Sequence, residues 1–366
     1  MDVKTERMSS TAVRPVGLII RQKDPNNLEM PFDQLDEFIT PTELFYIRSH
    51  FLTPELDPVA HQLSICGAVR DQLSLSYADV RAMPSRTRVA TLECAGNGRV
   101  FLAPPAPGAQ WELGAVGNAE WTGVPLSLLL ERAGLADDVC DLVLQGADRG
   151  VAKEEPKPPG PISYARSIPR ARAMEPDVLI AHQMNGEDLT PEHGYPLRAI
   201  VPGNYGMSSV KWLTDIVAVT QPFQGYWQTS DYGYWDDSGI PVRRPLAEMK
   251  LKSQIARPRV YERLEPGSHY TIFGAAWAGD TDVTEIWISP DGGVSWVQGD
   301  FVDPIIRHAW RRWKYNWITP TRPGRYTLLA RARGADQRTQ PDGHNPNYGS
   351  YVIDHPLPIE VFVAAL

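Results

Sequence analysis

The sequence predicts two domains in series. An α+β domain covers about residues 40–245, and an immunoglobulin-like β-sandwich covers 246–366, behind an N-terminal arm of residues 1–39. Two observations carry this reading. Up to Arg243-Arg-Pro245, strand-like runs alternate with short helical stretches and long loops rich in proline and glycine. Beyond that point the chain holds only short β-favouring runs separated by turns, the spacing of a sandwich. A length of 366 residues leaves room for two cores, and 42% hydrophobic with 22% charged residues is a globular composition.

The elements follow in order. Residues 1–40 are charged and weakly periodic, a lead-in lying over the first domain. Leu63 to Val69 reads as a strand. Ser76 to Met83 reads as a short helix, with Ser76 as its N-cap and Pro84 as its stop. Val89 to Leu92 is a β-favouring run that delivers Cys94 into Ala95-Gly-Asn-Gly-Arg99, a turn whose amides and arginine suit a thiolate. After the proline-rich loop Pro104 to Gly108 comes Trp111. Val124 to Ala133 has proline at its start and Gly134 just past its end, the asymmetry of a helix.

Leu142 to Gln145 is a strand with Asp148 at its tip, and 149–161 is loop. Met174 to Asn185 is a strand pattern ending in an Asn185-Gly186 turn. Tyr195 to Trp212 reads as strand, glycine-punctuated loop, strand. Its Val201-Pro-Gly-Asn-Tyr-Gly-Met-Ser-Ser-Val-Lys211 segment suits a phosphate cradle but lacks Walker spacing. In the second domain, Arg307 to Trp317 mixes basic and aromatic residues. Its period of two puts Trp313, Tyr315 and Trp317 on one face and Arg312 and Lys314 on the other, so it is a half-buried strand.

Composition narrows the function classes. A net charge of −8 argues against nucleic-acid binding. No run approaches the roughly 18 apolar residues of a membrane span. The polar stretch Met1 to Ser10 has no apolar leader core, so the expected location is the cytoplasm, or the periplasm if an export signal has been removed. Cys66 and Cys140 sit in apolar runs and read as core, and the three cysteines make no CxxC pair. The eight histidines show no zinc-ligand spacing.

Several motifs in one order go further. Leu92-Glu-Cys-Ala-Gly-Asn-Gly-Arg99 closely resembles the molybdenum-binding motif of the sulfite oxidase family. Tyr46-Ile-Arg-Ser-His50, Trp111, Gly117 to Leu126, Met184-Asn-Gly-Glu, Glu192-His-Gly-Tyr-Pro-Leu-Arg198, Val201-Pro-Gly and Val210-Lys-Trp-Leu213 resemble the blocks that follow in that family. The resemblance implies a molybdopterin domain, then a sandwich used for homodimerisation. Its cofactors would be molybdenum and molybdopterin, with Cys94 as the metal ligand. Tyr46, Arg48, Ser49, His50, Asp148, His193, Arg198, Ser209, Val210 and Lys211 would form the cofactor bed.

On the substrate side the resemblance implies Arg48 and Arg99 facing a small oxyanion and Trp111 lining the pocket. Asp231-Tyr232 would supply a hydroxyl to the reacting oxygen. The expected reaction is sulfite to sulfate. No haem-binding segment is evident, so electrons are expected to leave to an external acceptor such as a cytochrome c. One departure stands out: an arginine of the sulfite enzymes falls near Asn347, within His344-Asn-Pro-Asn-Tyr-Gly349. That keeps open a nitrate or S/N-oxide reductase using the same site. A pterin-binding or sandwich protein without turnover is the remaining alternative, and Cys94, Arg99 and Tyr232 argue against it.

Overall fold

The computed structural model describes residues 17–153, 155, 157–236 and 238–365. Residues 1–16, including the stretch from which a missing leader was read, lie outside it.

Three sheets build the first domain. The smallest is β1 (Ile19–Gln22), β2 (Asn27–Glu29) and β3 (Ile47–Arg48). The segment read as a lead-in arm therefore contributes two strands, and β2 pairs antiparallel with the strand carrying Arg48. No sequence period announces strands of three or four residues; their partner across the turn defines them.

The other two sheets have five strands each. One runs β5 (Leu73–Ser76), β4 (Gln62–Gly67), β13 (Leu213–Val219), β8 (Asp141–Val151), β9 (Pro161–Pro169). The other runs β11 (Glu187–Asp188), β10 (Leu179–Met184), β7 (Val116–Pro125), β6 (Arg86–Glu93), with β12 (Arg198–Ile200) also on β10. The Asn185-Gly186 turn joins β10 to β11 with both residues at positive φ, as a tight hairpin requires.

Three short α-helices complete the domain. In α1 (Tyr77–Arg81), Ser76 accepts from the Asp79 amide while the Asp79 carboxylate accepts from the Ser76 amide, a capping box. In α2 (Leu126–Ala133), Leu126, Leu129, Leu130 and Ala133 face the core at three- and four-residue spacing, and Gly134 ends the helix at φ 69°. Helix α3 (Arg170–Ala173) ends just before the stretch read from sequence as strand from Met174, and the strand itself begins only at Leu179. The strand expected to end at Trp212 likewise begins at Leu213, and 209–212 is loop.

A hairpin of Gly233–Asp236 and Val242–Pro245 leads into the second domain. Its sheets are four-stranded (Lys252–Arg257, His269–Trp277, Arg311–Ile318, Asp300–Phe301) and five-stranded (Arg263–Leu264, Ile359–Val363, Gly324–Gly334, Val283–Ser289, Val297–Gln298). Ile272, Trp313 and Trp317 from one sheet share a core with Ile286, Leu328 and Val361 from the other. Trp313 and Trp317 are buried on the strand Arg311–Ile318 while Lys314 is exposed, so the run is a sandwich strand with one dry face. No helix among the described residues is long and apolar enough to cross a membrane.

One polar cluster joins the domains. Glu93, at the end of β6, is 1% exposed. Its carboxylate accepts from Lys252 Nζ at 2.8 Å, from Asn97 Nδ2 at 3.1 Å and from Trp277 Nε1 at 2.9 Å. Lys252 also donates to the Asn97 carbonyl at 2.9 Å. Lys252 and Trp277 belong to the second domain, so the residue before Cys94 is held by the sandwich. Removing one partner of a buried pair strands the other charge, at about 3–5 kcal/mol. Lys252→Met should therefore lower the unfolding free energy by about that amount in urea titrations. A loss below about 1 kcal/mol would show that the pair does not hold the domains.

Candidate functional site

Cys94 lies just past the end of β6, at the base of a loop built around backbone constraints. Its amide donates to the Ala115 carbonyl and its carbonyl accepts from the Asn97 amide. Gly98 sits at φ 93°, a left-handed conformation that glycine adopts without strain. At Gly96 a Cβ would come within 2.2 Å of Arg99 Nη2, so the missing side chain is what lets the guanidinium fold back on the loop. Arg99 is 4% exposed, donates to the carbonyls of Ser350 (3.0 Å) and Ala109 (2.6 Å), and lies over the Tyr351 ring at 5.2 Å.

Two cavities open on Cys94. The inner one holds about 650 Å³ of empty space, its mouth included. All ten residues expected to form a cofactor bed line it: Tyr46, Arg48, Ser49, His50, Asp148, His193, Arg198, Ser209, Val210 and Lys211. The outer opening takes Arg99, Asp231, Trp227 and Tyr351. Arg48, His50, Cys94 and Tyr232 line both. Trp111 lines neither. It is fully buried in the cluster of Cys94, Tyr46 and Trp121 behind the loop, which corrects the expectation of a pocket wall. Asn347 also lines neither; it sits in the 3-10 turn Pro346–Tyr348, and the C-terminal segment places Tyr351 at the opening instead.

Long-range contacts position the shared residues. Arg48 donates to Asn27 Oδ1 at 3.3 Å and to the Ser49 carbonyl, so β2 orients it. Burial alone would weaken its charge, but Tyr232, Cys94, Tyr351 and Asp231 around it raise its pKa. His50 Nε2 is 2.7 Å from the Tyr232 hydroxyl. Burial, then the charges of Arg48, Lys211 and Arg166, keep His50 neutral. Burial raises the Tyr232 pKa despite Arg48, so its hydroxyl keeps its proton. Behind it lies the buried Arg166, bonded to the carbonyls of Trp227 and Leu246 and 5.8 Å from the Tyr232 ring. Arg166, Glu93, Lys252, Asn27 and Tyr351 were not singled out from sequence, since each acts through a partner tens to hundreds of residues away.

The inner cavity carries cations at its far end. Lys211 donates to Ser49 Oγ at 2.9 Å and to the Glu192 carbonyl at 2.8 Å. Asp148 stands beside it because the β8–β9 register breaks between Gln145 and Arg149; it occupies a bulge rather than a strand tip. Burial raises the Asp148 pKa and lowers that of Lys211. Arg198 donates to the His193 and Ser209 carbonyls, and burial lowers its pKa to about 10.

The comparisons with known proteins agree with this geometry. The oxidoreductase molybdopterin binding domain matches residues 50–227, and the Mo-co oxidoreductase dimerisation domain matches 243–349. Chicken (Gallus gallus) sulfite oxidase is 33% identical over 351 residues, covering 91% of this chain and 75% of its own. The chain belongs to the sulfite oxidase family. Mouse (Mus musculus) mitochondrial sulfite oxidase is 33% identical, and this chain spans 62% of its length. The NADH nitrate reductase of Volvox carteri is 32% identical over 378 residues, 93% of this chain and 42% of its own. In structure, the sulfane dehydrogenase SoxCD of Paracoccus pantotrophus superposes with a TM-score of 0.81 at 26% identity, covering 99% of this chain and 96% of that one.

The protein is accordingly a molybdoenzyme whose cofactor is molybdenum with molybdopterin. The residues present fit that group. Arg198 Nε and Asp148 Oδ1 are buried on the inner cavity with no hydrogen-bond partner among the described residues. A polar, anionic ligand would satisfy the first and a donor-bearing ring the second.

His193 gives this wall a measurable signature. It is 4% exposed, and burial, then Arg198 and Lys211, push its pKa from 6.5 to about 3. A folded pKa below the unfolded one gives stability that is full above the unfolded value and lost as pH falls towards the folded value. Unfolding free energy should therefore fall between pH 6.5 and 4, with His193 contributing a slope of about 1.4 kcal/mol per pH unit. His193→Gln should flatten the slope by about one proton; unchanged slopes would show that His193 is charged in the fold.

Proposed function

We propose that this protein oxidises sulfite to sulfate by oxygen-atom transfer and passes the electrons to an external acceptor such as a cytochrome c. The observation that carries the reading is the set of four residues, Arg48, His50, Cys94 and Tyr232, shared by an inner polar cavity and an outer cationic opening. A cofactor held on one side and a substrate arriving from the other would meet there. Sulfite oxidases among the relatives and the sulfane dehydrogenase likeness support a sulfur substrate.

Cys94 would be the protein ligand of the metal. The ten residues of the inner wall would hold the pterin and its phosphate, with Arg198 and Lys211 supplying positive charge. When bound, the cofactor supplies the two-electron redox change. The chain supplies the rest. Arg48 and Arg99 draw the oxyanion in and orient it through planar paired donors. Tyr232, protonated and anchored by His50, offers a hydroxyl at the junction. The His50 ring stacks on Tyr164, and Trp227 packs tilted against both, which fixes the His50 ring that anchors Tyr232.

A charge-assisted hydrogen bond to such an arginine is worth roughly 1.5–3 kcal/mol, or about 10- to 150-fold in binding. In a ferricyanide-linked assay, Arg99→Met should raise the KM for sulfite by about that factor and make that KM less sensitive to salt, because one attracting cation is gone. Sulfite inert to the wild-type protein, with nitrate reoxidising the reduced form, would replace this reading by a reductase one, which the Volvox carteri relative supports.

The match to a dimerisation domain supports a two-fold homodimer centred on residues 246–366. Light scattering at tens of micromolar should return twice the chain mass of 40.8 kDa, and a monomeric mass would overturn the assignment.

A further inference from the structure

One buried guanidinium has no part in the chemistry described so far. Arg166, on β9, is 1% exposed and lines neither of the cavities that meet at Cys94. Its hydrogen bonds go to main-chain carbonyls, those of Trp227, Gln228 and Leu246, and no carboxylate pairs with it among the described residues. Its Nε is buried without a partner there as well. A buried cation with no counter-charge is costly, and an apolar side chain of similar volume would avoid that cost. Burial accordingly lowers its pKa, while Tyr164, Tyr232 and Asp231 around it act in the opposite direction.

The three carbonyls bracket one stretch of chain. Trp227 and Gln228 belong to the helical turn Tyr226–Asp231 just before Tyr232, and Leu246 follows the hairpin that begins just after it. The Leu246 amide donates back to the Tyr232 carbonyl at 2.8 Å. The guanidinium lies 5.8 Å from the centre of the Tyr232 ring. Trp227, whose carbonyl Arg166 holds, packs its ring 4.4 Å from that of His50, and His50 Nε2 meets the Tyr232 hydroxyl at 2.7 Å. One side chain thus fixes the main chain on both sides of Tyr232 and the ring that supports its partner. A planar fork of donors can reach several carbonyls at once, which a compact ammonium cannot do.

Resting on the reading of Tyr232 as the hydroxyl that serves the reaction, we propose that Arg166 is a positioning residue for Tyr232. It holds the phenol in register with His50 and sets a positive charge behind the ring, which favours a hydroxyl whose proton is drawn away. Arg166 lines no wall that an anion or a cofactor would touch, so it acts through Tyr232. Its loss therefore shows in kcat rather than in KM.

The test uses the holoenzyme, with isotope-labelled histidine for nitrogen NMR alongside sulfite kinetics linked to ferricyanide. Arg166→Met should lower kcat about 100-fold, the cost of a displacement of about 1 Å, and move KM by less than about 3-fold. In a Tyr232→Phe background the same substitution should cost less than about 3-fold further, because the group it positions is gone. The His50 Nε2 resonance of Arg166→Met should move toward its position in Tyr232→Phe, the hydrogen bond having loosened. Arg166→Lys, which keeps the charge and reaches fewer carbonyls, should fall between wild type and Arg166→Met on both readouts, and it decides the matter if Arg166→Met does not fold. The proposal is overturned if Arg166→Met costs as much in the Tyr232→Phe background as in wild type, if the loss falls on KM alone, or if the His50 resonance stays in place. If wild-type protein does not turn over sulfite, the proposed reaction falls and the His50 resonance alone decides the assignment of Arg166.

Discussion

The buried carboxylate of Glu93 is the constraint on which the rest depends. A carboxylate taken out of water is costly unless every lone pair finds a donor. Here the donors come from two domains: Asn97 from the cysteine loop, Lys252 and Trp277 from the sandwich. Satisfying one charge therefore docks the sandwich, closes the loop around Cys94 and fixes the end of β6. The same docking brings the 344–352 segment to the opening, where its backbone and Tyr351 orient Arg99.

From that junction the site divides by chemistry. The inner side is lined with buried cations, amides and a raised carboxyl, and two of its polar atoms lack partners, as expected of a bed shaped for a ligand. The outer side is aromatic and cationic. Between them stand Cys94, a neutral histidine and a tyrosine that keeps its proton. Burial sets both protonation states, and the surrounding arginines reinforce the first and oppose the second. The contribution of this chain to chemistry is thus positioning and electrostatics around a cofactor that carries the electrons.

Local signals in the sequence were legible. The Ser76 cap, the Gly134 stop, the Asn185-Gly186 turn and the alternation of Trp313 and Trp317 each rest on residues within a few positions of one another. Ordered motifs pointed to the cofactor wall, because those residues lie in runs distinctive as strings. What stayed hidden needs distant partners. Strands β1 and β2 are too short to show a period and exist through pairing with β3. Lys252 pairs with Glu93 across 159 positions, and nothing in either neighbourhood announces the other. Counting along the C-terminal segment pointed to Asn347, but the His344 closure turns the chain so that Tyr351 arrives instead. The family resemblance implied Trp111 on the pocket wall, and its packing puts it one layer behind.

The central claim is that Cys94 and the inner cavity hold a molybdenum cofactor. Metal analysis of protein purified from a molybdate-replete host, wild-type beside Cys94→Ser, tests it most directly. The account predicts about one molybdenum per wild-type chain together with an organic pterin, and a variant that keeps its fold while losing oxygen-atom transfer. Wild-type protein that carries zinc, or no metal and no pterin, would contradict it.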